Sequence, residues 1–232
     1  MTILAIDTSM AACSAAILPD GASAAIQRFE PMTRGHAEAL FPMVEAVMAE
    51  AGCGFDVLSA IAVTIGPGSF TGVRAGLAAA RGFALAAKVP MIGVSSLEVM
   101  ALKAVRERSG AEAKGDFAII HDARRDEAYV QFFDATAHPV SDPQILPLGR
   151  IVSELPDLIN AAYGSGGALL AEHMSATGRA IQAALPDLLP DAATLAVIAS
   201  NREPSAQPPG PLYLRLPDAK PQTGKSFERV PG

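Results

Sequence analysis

The chain has 232 residues, half of them hydrophobic and 18% charged, enough for one large domain or two small ones without a disulfide or metal to hold it. A net charge of −6 and a pI near 5.2 lack the basic footprint of a protein that binds nucleic acid alone, so work on RNA would need another subunit to hold it. Cys13 and Cys53 form no C-x-x-C pair, which gives redox and zinc chemistry no motif and fits a reduced, cytoplasmic setting.

Residues 3–7 are a short apolar run that ends in Asp7-Thr8-Ser9; the early Asp and the lack of a basic leader exclude a signal peptide. Residues 13–18 and 24–29 are two more short strands, separated by the turn Pro19-Asp20-Gly21, so the chain opens as an antiparallel meander. Leu40, Met43, Val44, Val47, Met48 and Ala51 then recur at helical spacing, with Pro42 near the helix start and Gly52 as its stop. Residues 61–65 form a buried-type strand, 66–72 a loop, 70–87 a helix rich in Ala and Gly, and 91–94 another strand. Ser95 and Glu98 have capping-box spacing for a third helix running towards Arg108. The most apolar stretch, 73–89, contains Arg74, Arg81 and Lys88. A charge at a bilayer centre costs about 2.5–3.5 kcal/mol, so the stretch is no membrane span.

This β-β-β-α-β-α-β-α order is that of a ribonuclease-H-like half domain. A second, weaker pass begins at Phe117: residues 117–121 are a strand ended by Asp122-Ala123-Arg124, and 127–133 return beside it. Beyond, 151–155, 176–185 and 191–200 read as helices and 158–163 as a strand. The expected organisation is an N-terminal subdomain over 1–110, a degraded repeat over 111–216 and a flexible tail over 217–232, with the boundary at 110–115.

The sharpest motif is Gly66-Pro67-Gly68-Ser69-Phe70-Thr71-Gly72-Val73-Arg74, which joins a strand to a helix. It is either a tight turn or an anion or partner site at a helix N-terminus. No Gly-Lys-Ser/Thr follows, so it is not a Walker A loop. Phe70 favours an interface, because a large apolar side chain has no use in a phosphate cradle. The following helix carries Ala75, Gly76, Ala79, Gly82 and Ala86. Most of this small face is expected to pack inward and a fraction to meet another subunit, with Leu40, Met43, Val47 and Met48 extending the patch. Asp7 and Asp122 both end a strand. Acidic residues at such turns organise magnesium and phosphate in sugar kinases and actin-like ATPases, or simply bond their own turn; Asp122 reads as the second kind and Asp7 stays open. Gly164-Ser165-Gly166-Gly167 is a weak second nucleotide loop or a plain turn. His36 stands alone, with Leu40 where a second helical ligand would stand, and His121, His138 and His173 are scattered. Ser9, Ser69 and Ser95 lie in no G-x-S-x-G elbow.

Ile3-Leu4-Ala5-Ile6-Asp7-Thr8-Ser9, the Gly66–Gly76 motif, residues 90–98, 122–129 and Pro211-Leu212-Tyr213-Leu214-Arg215 together resemble the TsaB family, in order along nearly the whole chain. The resemblance implies an actin-like ATPase (ASKHA) fold of two ribonuclease-H-like subdomains and a non-catalytic subunit in tRNA threonylcarbamoyladenosine synthesis. Its catalytic sister TsaD binds metal through an H-x-x-x-H motif. Here the matching stretch runs from Ser96 to Met100, and neither end is a metal ligand of that kind. The implied partners are a TsaD-like catalytic subunit, a TsaE-like ATPase, a second copy when the chain is alone, and tRNA only through the complex. His36, Leu40, Met43, Val47, Phe70, Arg74, Gly76 and Ala79 are the expected partner interface, and Asp7, Thr8 and Ser9 a weak nucleotide-binding turn. No catalytic residue, metal ligand or cofactor is expected. An active small-molecule kinase or ATPase of the same fold is the alternative; a metallopeptidase lacks a ligand set.

Overall fold

The computed structural model describes residues 1–108, 115–205 and 207–215, so the expected boundary glycine Gly110 and the tail over 217–232 lie outside the described residues. Three strands, β1 (Ile3–Met10), β2 (Ala12–Leu18) and β3 (Ile26–Pro31), form the opening meander. Helix α1 (His36–Ala51), β4 (Ala60–Thr64), α2 (Phe70–Ala87), β5 (Met91–Val94) and α3 (Ser96–Glu107) complete the first half. The sheet order is β3-β2-β1-β4-β5, with the meander antiparallel and β1, β4 and β5 parallel.

The second half is β6 (Phe117–Asp122), β7 (Glu127–Phe133), β8 (Gln144–Pro147), α4 (Leu148–Glu154), β9 (Ala161–Tyr163), α5 (Gly167–Ser175), β10 (Gln182–Ala184) and α6 (Ala192–Ser200). Its sheet order, β10-β9-β6-β7-β8, is the first order repeated: each half places its first strand at the centre, a meander on one side and two parallel strands on the other.

Strand alternation sorts the core. Leu4 and Ile6 face α1 and α2, while Ile3 and Ala5 face α6 on the opposite side of the same sheet. Helix α3 lies between the sheets, with Leu97, Met100, Ala101 and Ala104 packed against Phe117, Ile119, Phe133 and Tyr163. α4 and α5 cover the outer face of the second sheet. Helix α6 therefore returns from the second half of the chain to seal the first sheet. Its N-terminus is held there by Asp191, which accepts from Thr194 N, by Ser14, which accepts from Ala192 N, and by Gln27, which accepts from Ala193 N.

Four local expectations change. Residues 176–185 are not a helix: Gly178 turns the chain at φ 74° and β10 follows. The helix comes earlier, as α5, hidden behind the run Gly164–Gly167; Cβ atoms at 164 and 166 would meet Ile120 O and Ile120 Cγ2 at 2.7 and 2.6 Å, so glycine there serves close packing on β6. Strand β8 (Gln144–Pro147) is an addition to the expected elements: it follows the turn signal Ser141-Asp142-Pro143 but is too short to show a clear alternation. Ser95 caps α3 through Leu97 N at 3.2 Å, but Glu98 pairs with Arg202 instead of closing a reciprocal box. Because α1 begins at His36, Pro42 sits two turns inside the helix, where it supplies no N–H for the Glu38 carbonyl.

Candidate functional site

The Gly66–Arg74 motif packs on the end of β1. Ser69 N donates to Ser9 O at 2.7 Å, and Ser69 Oγ accepts from Gly72 N, capping α2. A Cβ on Gly68 would lie 2.1 Å from Ser9 O, and one on Gly72 2.1 Å from Thr8 O. A Cβ on Gly76 would lie 2.6 Å from Thr8 Oγ1, which donates to Gly72 O at 2.7 Å. The three glycines, spaced i, i+4, i+8, thus form the helix face that lets α2 lie directly on the strand end. The same arrangement recurs in the second half, where Gly166 N donates to Ile120 O at 2.9 Å.

Asp7, Thr8 and Ser9 are consequently buried, at 0%, 1% and 0% exposure. Asp7 Oδ1 accepts from Ser9 N at 3.1 Å, from Ser9 Oγ at 2.6 Å and from Thr64 Oγ1, and Ser96 Oγ donates to Ser9 Oγ at 2.9 Å. Burial pushes the Asp7 carboxyl up to about 6 despite these donors. The chain's own glycine loop packs directly on this turn. Ser96 and Met100 are both fully buried, the first in this hydroxyl network and the second in the inter-sheet core. Asp122 bonds its own turn, accepting from Arg124 N at 2.8 Å. Among the described residues no group of three or more His, Cys, Asp or Glu side chains is placed to hold a metal.

A cleft of about 340 Å³ opens where the two halves meet, bordered by His36, Ser69, His121, Tyr129, Arg124 and Arg215. His36 donates through Nε2 to Met10 O at 2.9 Å. Burial pushes the His121 imidazole down to about 4, so the ring is neutral and its Nδ1 faces Ser165 Oγ at 3.1 Å. The bordering arginines are engaged: Arg124 with Asp122, and Arg215 with Glu127 and Ala123 O.

The outer face of α1 and α2 is different in character. Phe41, Phe70 and Leu85 are 54%, 55% and 81% exposed, with Arg74, Ala78, Arg81 and Gly82 exposed between them. Phe70, Arg74, Ala78, Arg81 and Leu85 fall within one quarter of the helix circumference at 100° per residue. Of the residues expected on the interface, Phe70 and Arg74 lie on this face, Ala79 is half-buried at its margin, and His36 borders the cleft instead. Leu40, Met43, Val47 and Gly76 do not lie on it: they are buried in the contact of α1 and α2 with the first sheet. The exposed side of α1 carries Glu38, Glu45 and Glu50 and that of α2 Arg74 and Arg81, so charge marks the open sides, while Leu40, Met43 and Val47 follow the period of the buried stripe.

A family model described as "TsaD: tRNA N6-adenosine threonylcarbamoyltransferase" matches residues 30–198. YeaZ from Pseudomonas aeruginosa is 33% identical, with 86% of this chain and 90% of that chain superposed at a TM-score of 0.73. A second Pseudomonas aeruginosa structure, described as an uncharacterized protein similar to the peptidase YeaZ, is 32% identical with a TM-score of 0.79 over 92% and 99% of the two chains. The tRNA threonylcarbamoyladenosine biosynthesis protein TsaB of Escherichia coli is 44% identical over 129 residues, 56% of this chain. The chain belongs to the TsaB (YeaZ) family. The match spans about half (53%) of the E. coli TsaB chain, whereas an uncharacterized protein of Mycobacterium tuberculosis, 35% identical, is matched over 94% of its length. The architecture of two mixed sheets flanked by helices is thus the TsaB fold. Among the described residues no helix is long and apolar enough to cross a membrane.

The TsaB motif Pro211-Leu212-Tyr213-Leu214-Arg215 acquires a place in this geometry. Leu212 N donates to Ile65 O at 2.8 Å, and Tyr213 receives a hydrogen bond from Arg74 Nε at 2.7 Å. Phe41, Leu85, Arg81 and Tyr213 were not among the expected site residues. Leu85 and Arg81 share the helix stripe of Phe70 and Arg74, so the helical period carried a signal for both; Tyr213, 139 residues from Arg74, carried none.

Proposed function

We propose that this chain is a non-catalytic scaffold subunit of the tRNA threonylcarbamoyladenosine synthase. In this reading it pairs with a TsaD-like catalytic subunit through the outer face of α1 and α2 and supports transfer of threonylcarbamoyl to the adenosine beside the anticodon. A TsaE-like ATPase joins the same assembly, tRNA is held by the complex, and isolated chains self-pair through the same face. All of this takes place in the cytoplasm. The observation that carries the reading is the exposed stripe of Phe70, Arg74 and Leu85 along α2 on a chain of the TsaB family. Exposed aromatic and arginine side chains gathered in one patch are typical of binding surfaces. The burial of Asp7 under the loop that packs Gly68 and Gly72 onto Ser9 and Thr8 speaks against the kinase or ATPase alternative, since the carboxylate has no exposed surface to offer a magnesium–phosphate ligand.

The test is reconstitution of tRNA threonylcarbamoylation from purified TsaD-like and TsaE-like proteins and the adenylate-forming enzyme. Product is expected only when this chain is added, and none from this chain alone. Equal product without it would sink the scaffold reading.

A further inference from the structure

The guanidinium of Arg74 lies 3.7 Å from the centroid of the Phe70 ring and 5.7 Å from that of Tyr213. Its Nε donates to the Tyr213 hydroxyl at 2.7 Å, and the two rings stack with centroids 5.6 Å apart. Phe70 and Tyr213 stay about half exposed. Two helical turns on, Arg81 donates to the carbonyl of Pro209 at 3.3 Å. Gly93 makes room for this segment, since a Cβ there would lie 2.6 Å from Pro209 Cβ. Residues 207–215 thus run as a strap along α2.

Charge sets this stack apart. The chain carries a net −6, yet α2 contains two arginines and no acidic residue. Among the described residues neither Arg74 nor Arg81 has an ion-pair partner, and the Nη atoms of Arg74 make no hydrogen bond. A guanidinium stacked on an aromatic ring and anchored through Nε keeps its two Nη groups for one planar, bidentate acceptor. An apolar partner would bury that charge uncompensated. A second copy docking α2 on α2 sets arginines against arginines, so self-pairing through this face is a weaker contact than one with a carboxylate-bearing partner.

We infer that Tyr213 is part of the partner-docking surface, as a positioning residue that locks Phe70 and Arg74 into one stack offering the Arg74 guanidinium to a carboxylate on the catalytic partner. The inference rests on the scaffold reading proposed above.

Calorimetric titration of the full chain with the TsaD-like subunit tests it. Arg74→Ala is expected to weaken binding by about tenfold or more and to flatten the salt dependence of Kd. Tyr213→Phe removes only the hydroxyl; it should weaken binding a few-fold, leave the melting temperature unchanged, and have no further effect in the Arg74→Ala background. If the unchanged chain binds and both variants bind equally well, this inference is overturned and the scaffold reading survives. If the two substitutions add, the positioning role is overturned. Variants that lose self-association but keep the catalytic partner would assign the stack to a second copy instead. No binding by the unchanged chain would remove the scaffold reading, and this inference with it.

Discussion

Asp7 and His121 stand at equivalent places, near the ends of the two central strands, and burial shifts both towards the neutral form. Their effects on stability have opposite signs. Asp7, raised from 3.8 to about 6, binds more protons folded than unfolded, so its contribution falls as pH rises from about 4 to 6. His121, lowered from 6.5 to about 4, binds fewer protons folded, so its contribution rises over nearly the same window. Each spans at most about 3 kcal/mol, and together they leave the profile nearly level. Asp7→Asn should leave His121 unopposed, so that urea stability drops on going from pH 6.5 to 4.5. His121→Gln should reverse the slope. An Asp7→Asn profile parallel to that of the unchanged chain would refute the assignment. The polarity of Asp7-Thr8-Ser9 was plain in the sequence; its burial was not, because the atoms that cover it come from residues 68–76.

At the scale of elements, α2 shows how one composition serves two purposes. Its glycines look alike in sequence and do opposite work. Gly72 sits where a Cβ would meet Thr8 O at 2.1 Å, while nothing lies within 4 Å of a Cβ on the exposed Gly82. Gly72→Ala should therefore destabilise the chain by about 3 kcal/mol or more through backbone displacement. Gly82→Ala should stabilise it by roughly 0.5–1 kcal/mol by lowering the entropy of the unfolded chain. Denaturation midpoints measured side by side decide this, and equal effects would mean that α2 does not lie on β1 as described. The elements of the first half were legible because apolar runs, Gly52 and Ser95 punctuate them. The second half was less so: α5 starts on glycines and buries only Leu170 and Met174 among its large side chains, and β9 and β10 have three residues each.

For the whole molecule, the strap and α6 join what the chain order separates. Arg215 reaches across to the second half, donating to Ala123 O at 3.0 Å and pairing with Glu127 at 2.6 Å, while Leu212 pairs with Ile65 in the first. Arg215→Ala should speed amide exchange in the Ala123–Glu127 turn and leave α1 unchanged. With a loss of about 1 kcal/mol, the melting temperature should fall by roughly 2–4 °C. Exchange that rises equally throughout would show that the strap stabilises the fold as a unit instead of this junction. We propose on the same grounds that a division of the chain at residue 110 is not a division into independent folding units, since α6 caps the first sheet from residues 192–200.

The sequence by itself determined the strand–helix order of the first half and the glycine motif between β4 and α2, because apolar periodicity and turn chemistry are local properties of neighbouring residues; the family resemblance rested on its motifs. Only the tertiary structure decided that the Asp7 turn is buried under its own loop and that Tyr213 stacks on Phe70 beside Arg74. Each of these depends on contacts between residues 57 to 143 positions apart, which a local pattern does not encode.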